Sequence, residues 1–154
     1  MIELNRTFLG RLSEQLSELI EQQSAEVFKR AGLVIPVKSS SLLGAIATLG
    51  PVSVADLGRA LDRSHQLLQQ KIPKLVKLEL VTRQSDPDDQ RVILIEITEK
   101  GRGQLALLDS LDGAFEDAYV EMEKDAGPVF DAIKRAIASL KARPLIDRID
   151  SEAP

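Results

Sequence analysis

The block Asp86-Pro87-Asp88-Asp89-Gln90 constrains this chain more than any other stretch, because it separates two β-prone runs in a sequence otherwise patterned for helices. Proline sets φ and lacks an N–H, and aspartate side chains hydrogen-bond nearby backbone, so the block reads as a turn. Leu80-Val81-Thr82-Arg83 before it reads as a short strand. Arg91-Val92-Ile93-Leu94-Ile95-Glu96-Ile97 after it is rich in β-branched residues and reads as a second. Two strands around such a turn make a hairpin.

The segments before the hairpin have helical periodicity. Leu4, Phe8, Leu12, Leu16, Leu19, Ile20 and Val27 recur at three- and four-residue steps, predicting a long helix over 2–30 that Gly32 and Pro36 end. A second helix is expected over 39–49, with Ser39–Ser41 as N-caps and Gly50-Pro51 as its stop. Ser53-Val54-Ala55-Asp56 has the capping-box pattern and opens a short helix with Val54, Leu57 and Leu61 as its apolar positions. Asp62-Arg63-Ser64 is a polar turn, and Ser64 caps a helix from His65 to about Leu78. That helix buries Leu68, Ile72, Leu75 and Val76 and turns His65, Gln66, Gln69, Gln70 and Lys74 outward.

Beyond the hairpin, Thr98 caps a predicted helix over 99–124. Its stripe of Leu108, Leu111, Phe115, Ala118 and Met122 has coiled-coil spacing. Gly127-Pro128 breaks it, and Val129, Ile133, Ile137 and Leu140 mark a last helix over 129–142. Residues 143–154 read as a loose tail. The expected fold is therefore mainly α with a small β-wing: a winged helix-turn-helix over 37–98, flanked by a helical dimerisation module over 1–36 and 99–142. Two long apolar stripes exceed what one small winged domain can cover, which favours self-association.

Helix, tight turn, helix and two-stranded wing form an order with a mechanical use. A helix about 10–12 Å across fits the major groove of B-DNA, and the preceding helix braces it across the backbone. The second helix would present Ser64, His65, Gln66, Gln69 and Gln70 to base edges, since glutamine offers the donor and acceptor that adenine requires. Lys71 and Lys74 are expected to meet phosphates, while Arg83 and Arg91 supply cations at the hairpin for the adjacent minor groove. The net charge of -4 opposes a nucleic-acid partner, but it is unevenly distributed: residues 38–102 hold ten Lys/Arg against eight Asp/Glu, and the remainder ten against sixteen. Exposed charges more than about 8–10 Å apart are largely screened, so the local balance matters most.

Residues 52–101 resemble the multiple-antibiotic-resistance regulator (MarR) family. The family pattern runs through a Leu-Val-x-Arg strand and D-P-x-D-x-R to a strand closing in L-T-E-K-G. Here these are Leu80-Val81-Thr82-Arg83, Asp86-Pro87-Asp88-Asp89-Gln90-Arg91 and Ile97-Thr98-Glu99-Lys100-Gly101. The resemblance implies a homodimer whose terminal helices interlock and hold two winged domains apart. It implies that Asp89 and Arg91 shape the wing and contact DNA, and that the protein represses transcription until a small lipophilic effector releases it. The implied partners are a pseudo-palindromic double-stranded operator, a second copy of the chain and that effector, with no cofactor. Three positions depart from the pattern. Pro73 is expected to free the Gln69 carbonyl and kink the second helix. Glu79 replaces a usual glycine, which predicts a missing or strained left-handed cap. Gln90 stands where arginine is common and weakens a minor-groove contact.

Other chemistries find less support. His65 is the only histidine and cysteine is absent, so there is no thiolate zinc site, disulfide or nucleophile–base pair, and no enzyme is expected. Asp86, Asp88 and Asp89 lack the spacing, central glycine and closing glutamate of a calcium loop. Gly101-Arg102-Gly103 matches no phosphate-binding loop and reads as a helix start. No apolar run approaches the roughly 18 residues of a membrane span, and the N-terminal segment lacks a secretory pattern, so the cytoplasm is the expected location. The competing reading is a winged-helix protein-interaction module without DNA binding.

Overall fold

A computed structural model describes residues 5–150. Leu4, placed in the first apolar stripe, and the last four residues of the tail lie outside the described residues. The chain divides between Ser110 and Leu111 into two compact units.

In the first unit a 3-10 turn at Arg6–Phe8 leads into α1 (Leu9–Ala31). Gly32 closes this helix in the left-handed region at φ 79°, with the Leu33 N–H bonded to the Phe28 carbonyl. A 3-10 turn at Val37–Ser39 precedes α2 (Ser40–Leu49). The expected serine cap is absent there. Ser39 is already inside the 3-10 turn, its N–H bonded to the Pro36 carbonyl, and its side chain makes no capping bond. Helix α3 (Val54–Leu61) does start as its sequence predicts, with Ser53 Oγ accepting the Asp56 N–H at 3.1 Å and donating to the Asp56 carboxylate at 2.7 Å.

The sheet has three strands, in the order β1 (Val52–Ser53), β3 (Ile93–Ile97), β2 (Val81–Ser85), all antiparallel. Strand β1 carries too little sequence to be read in advance. The hairpin also differs from expectation at its loop end: β2 extends to Ser85, while β3 begins only at Ile93. Arg91 and Val92 belong to the loop because the Val92 N–H bonds the Asp89 carbonyl and the Val92 carbonyl receives the Asp86 N–H.

The core lies where α2, α3, α4 (His65–Lys77) and the sheet meet, and Leu43, Ile46, Leu57, Leu68, Ile72, Leu75, Leu80 and Ile95 are almost fully buried. Helix α4 runs without a break through Pro73. Leu68, Ile72 and Leu75 each contribute about 1.5–3 kcal/mol on burial. Together these outweigh the roughly 3 kcal/mol that an internal proline costs. Gln69 and Pro73 both lie on the exposed side, where water can satisfy the freed carbonyl.

Helix α4 ends in a left-handed cap at Glu79, the strained one of the two outcomes expected of glutamate at this position. Glu79 has φ 61°; its N–H bonds the Val76 carbonyl and the Leu80 N–H bonds the Leu75 carbonyl, a complete Schellman motif. Buried Leu75 and Leu80 close the motif, so tertiary packing imposes a conformation that costs a non-glycine residue about 1–2 kcal/mol. The same corner starts α5 (Glu99–Asp109). Thr98 N–H bonds the Leu80 carbonyl, and Thr98 Oγ1 donates to the Glu79 carbonyl at 2.6 Å and accepts the Gly101 N–H at 3.0 Å.

The helix predicted over 99–124 is two helices, α5 ending at Asp109 and α6 (Asp112–Ala126) opening the second unit. Ser110 turns its hydroxyl back onto the Leu107 carbonyl at 2.6 Å, a local bond that competes with helix continuation. Helix α7 (Val129–Ala142) follows Gly127-Pro128. The segment read as a loose tail contains α8 (Leu145–Asp150), whose Arg148 bonds the Ser139 carbonyl and hydroxyl, both at 2.8 Å. No residue of α6, α7 or α8 is buried. No described helix is long and apolar enough to cross a membrane.

A Cβ added to Gly101 would collide with the Leu80 carbonyl oxygen and approach Ile97 Cγ1 to 2.7 Å. Gly101→Ala is therefore expected to destabilise the chain by about 2 kcal/mol or more in urea unfolding. Glu79→Gly should stabilise it by about 1 kcal/mol, because relief of the left-handed cap outweighs the exposed Lys100 ion pair that is lost. Equal effects of the two substitutions would contradict this account of the corner.

Candidate nucleic-acid interface

The turn between α3 and α4 is tight. Asp62 adopts φ 50°, the Arg63 N–H bonds the Gly58 carbonyl at 3.0 Å, and a Cβ on Gly58 would lie 3.1 Å from the Arg63 carbonyl. Ser64 then caps α4, its Oγ accepting the Leu67 N–H at 3.2 Å. The start of α4 is thereby fixed relative to α3, the prerequisite for presenting a defined face.

That face is polar. Ser64, His65, Gln66, Gln69, Gln70 and Lys74 are exposed. His65 Nε2 and Gln69 Nε2 lie 2.8 Å apart, so these two side chains are held against each other one helical turn apart. Gln66, Gln70 and Lys74 have no hydrogen-bond or ion-pair partner among the described residues. Lys71 behaves differently from its neighbours. It is half-buried, and its Nζ donates to the Lys38 carbonyl. Val76, read as core, is only half-buried.

The wing loop is organised by Asp89. Its carboxylate accepts the Arg91 backbone N–H and holds the guanidinium in two bonds, Nε to Oδ1 and Nη2 to Oδ2, all at 3.0 Å. Asp86 accepts the Asp88 N–H at 2.8 Å in a second, smaller turn. The Arg91 side chain is 90% exposed although doubly bonded, so it is oriented without being covered. Gln90 beside it is exposed. Arg83 is exposed too, but it sits in the middle of β2 opposite Ile95 rather than at the loop. Arg63, exposed directly before the cap of α4, is a further cation of this surface. Its signal was present in the sequence as a basic residue adjoining Ser64.

Residues 35–92 match the MarR family. That matched segment runs from α2 through α3, α4 and β2 to the wing loop. The chain's fold is also that of solved MarR-type proteins. A MarR mutant from E. coli, crystallised with operator DNA, superposes with a TM-score of 0.67 at 21% identity, covering 88% of this chain and 94% of that one. MepR from S. aureus in a DNA complex gives a TM-score of 0.67 at 19% identity, with 90% of this chain and all of that one covered. BldR, a transcriptional regulator from Sulfolobus solfataricus, gives 0.55 at 22% identity and covers 90% and 99%. Among curated proteins no sequence relative is found. In this MarR-type frame α4 is the second helix of the helix-turn-helix and the 86–92 loop is the tip of the wing.

The Asp89 carboxyl is held below its ordinary value of 3.8, first by the Arg91 side chain and then by the Arg91 backbone N–H. Arg91 is shifted upward by the same pairing. A carboxylate with a lower pKa in the folded than in the unfolded chain favours the folded wing above its unfolded value, and loses that contribution as pH falls through the folded one. The Arg91 Nε chemical shift is expected to move as acid titration protonates the Asp89 carboxyl, with a midpoint below its ordinary 3.8. In Asp89→Asn that acid titration of the Arg91 signal should vanish; its persistence would exclude the clamp.

Proposed function

We propose that this chain is a sequence-specific DNA-binding transcription regulator that acts as a homodimer. The observation that carries the reading is the exposed Gln66/Gln69/Gln70/Lys74 face of α4, rigidly capped at Ser64, on the same small domain as a wing whose Arg91 is oriented by Asp89. Glutamine amides suit adenine edges in the major groove, and an oriented guanidinium suits the negative minor groove or its phosphates. The resemblance to MarR and MepR structures solved with DNA supports the same assignment.

Exposed apolar surface supports dimerisation. Phe8, just before α1, and Leu9, Leu12 and Leu19 on it are exposed, as are Phe130, Ile133, Ile137 and Leu140 on α7. Apolar stripes of this extent mark association surfaces. A two-fold dimer would set two α4 helices near successive major grooves, about 34 Å apart, on a pseudo-palindromic operator. Repression is the expected output, and a small lipophilic effector the expected release signal. A groove of about 340 Å³ at the C-terminal end of α1, lined by Phe28, Leu33, Val34, Ile35, Pro36 and Val37, has the size and apolar walls for such a molecule. An effector that prefers a dimer with its winged domains misplaced shifts the population off DNA.

Binding to the gene's own upstream region, followed by fluorescence anisotropy at several salt concentrations, tests the reading. Arg91→Ala is expected to weaken binding to all sequences and to reduce the salt slope by about one. Gln66→Ala and Gln69→Ala should instead change which bases are preferred, at a cost of about 1–3 kcal/mol for the favoured site. Absence of any salt-dependent DNA binding by a dimeric wild type would favour a protein-interaction module. Sedimentation equilibrium gives the oligomeric state separately, and a monomer at micromolar concentration would remove the two-fold operator geometry.

A further inference from the structure

We propose that Lys71 is a positioning residue, tethering α4 through Lys38 to the long helix α1 instead of meeting DNA phosphate. The inference rests on the DNA-binding reading of α4. Lys71 Nζ donates to the Lys38 carbonyl, in the 3-10 turn that precedes α2. The Lys38 ammonium pairs in turn with the Glu21 carboxylate of α1 at 2.6 Å. One residue, Lys38, therefore receives α4 through its backbone and α1 through its side chain. Neighbouring Gln70 and Lys74 project into solvent, whereas Lys71 is half-buried. Burial lowers the Lys71 pKa, and the nearby cations Arg63 and Lys38 act in the same direction against Glu21. A lysine serving phosphate gains from an extended, solvated stem; this one spends its reach on a carbonyl inside its own domain. The arrangement gives α1 a direct mechanical link to the helix that faces DNA.

Lys71→Met retains the stem and removes the ammonium. Measured on the upstream DNA across about 50–200 mM salt, it is expected to lower affinity roughly fivefold without changing the slope of log K against log salt. Glu21→Gln, on a surface with no proposed DNA contact, should lower affinity in the same direction, and the double variant should lose less than the product of the two. Lys74→Met, a phosphate candidate, should flatten the slope by about 0.9. A similarly flattened slope in Lys71→Met would overturn the proposal, as would fully independent effects of the two tether variants. Hydrogen exchange in the full chain without DNA separates this idea from the regulator reading. Both tether variants should quicken exchange of the α4 amides, and Gln70→Met should not. Unchanged exchange in Lys71→Met and Glu21→Gln would refute the tether even if DNA binding holds. Quickened exchange in a chain that binds no DNA would uphold the tether and refute the regulator.

Discussion

The corner at Glu79-Leu80, Thr98 and Gly101 holds three parts of this protein together. The Leu80 carbonyl accepts the Thr98 N–H, the Thr98 hydroxyl bridges the Glu79 carbonyl to the Gly101 N–H, and the missing Gly101 side chain lets α5 pass over Leu80. The end of α4, both legs of the wing and the start of α5 are thereby placed by one cluster of hydrogen bonds. Because buried backbone groups must be paired, none of these elements can shift without leaving a donor or acceptor unsatisfied. Lys100, paired with Glu79 at 3.3 Å, adds an exposed ion pair of small energetic weight.

Helix α4 then serves two solvents at once. Leu68, Ile72 and Leu75 anchor it in the core, while the glutamines one residue away face water. The anchor explains how the helix tolerates Pro73, and the proline falls on the side where its missing hydrogen bond costs least. The acidic total charge does not conflict with this face, since the acids are concentrated outside residues 38–102. Field at this face is set by nearby exposed cations, not by the sum over the chain.

The wing follows a different economy. Its strands are short and its loop is exposed, so order comes from one carboxylate that binds a backbone N–H and a guanidinium together. Orienting Arg91 before any partner arrives reduces the rotamer entropy that binding must otherwise remove. The second unit shows the opposite condition: its helices leave Phe130, Ile133, Ile137, Ile146 and Ile149 exposed. Apolar surface of this kind supports the proposed dimer.

Local chemistry was readable from the amino acids alone. Ser53, Ser64 and Thr98 cap the helices they precede, the Pro/Asp block turns the hairpin, and Gly32 ends α1, because each depends on residues within one turn of itself. The outward face of α4 was equally legible from its 3.6-residue period. Features that depend on distant partners were not. Strand β1 exists only because Val52 finds Ile95, and Lys71 points inward only because the Lys38 carbonyl, 33 residues earlier, lies beside it. Glu79 adopts a left-handed cap against its own preference because Leu75, Leu80 and Thr98 converge on it. Sequence determined where the chain turns and which faces are apolar; tertiary packing decided which of those local preferences were overruled, since burial and hydrogen-bond satisfaction outweigh conformational costs of 1–3 kcal/mol at single residues.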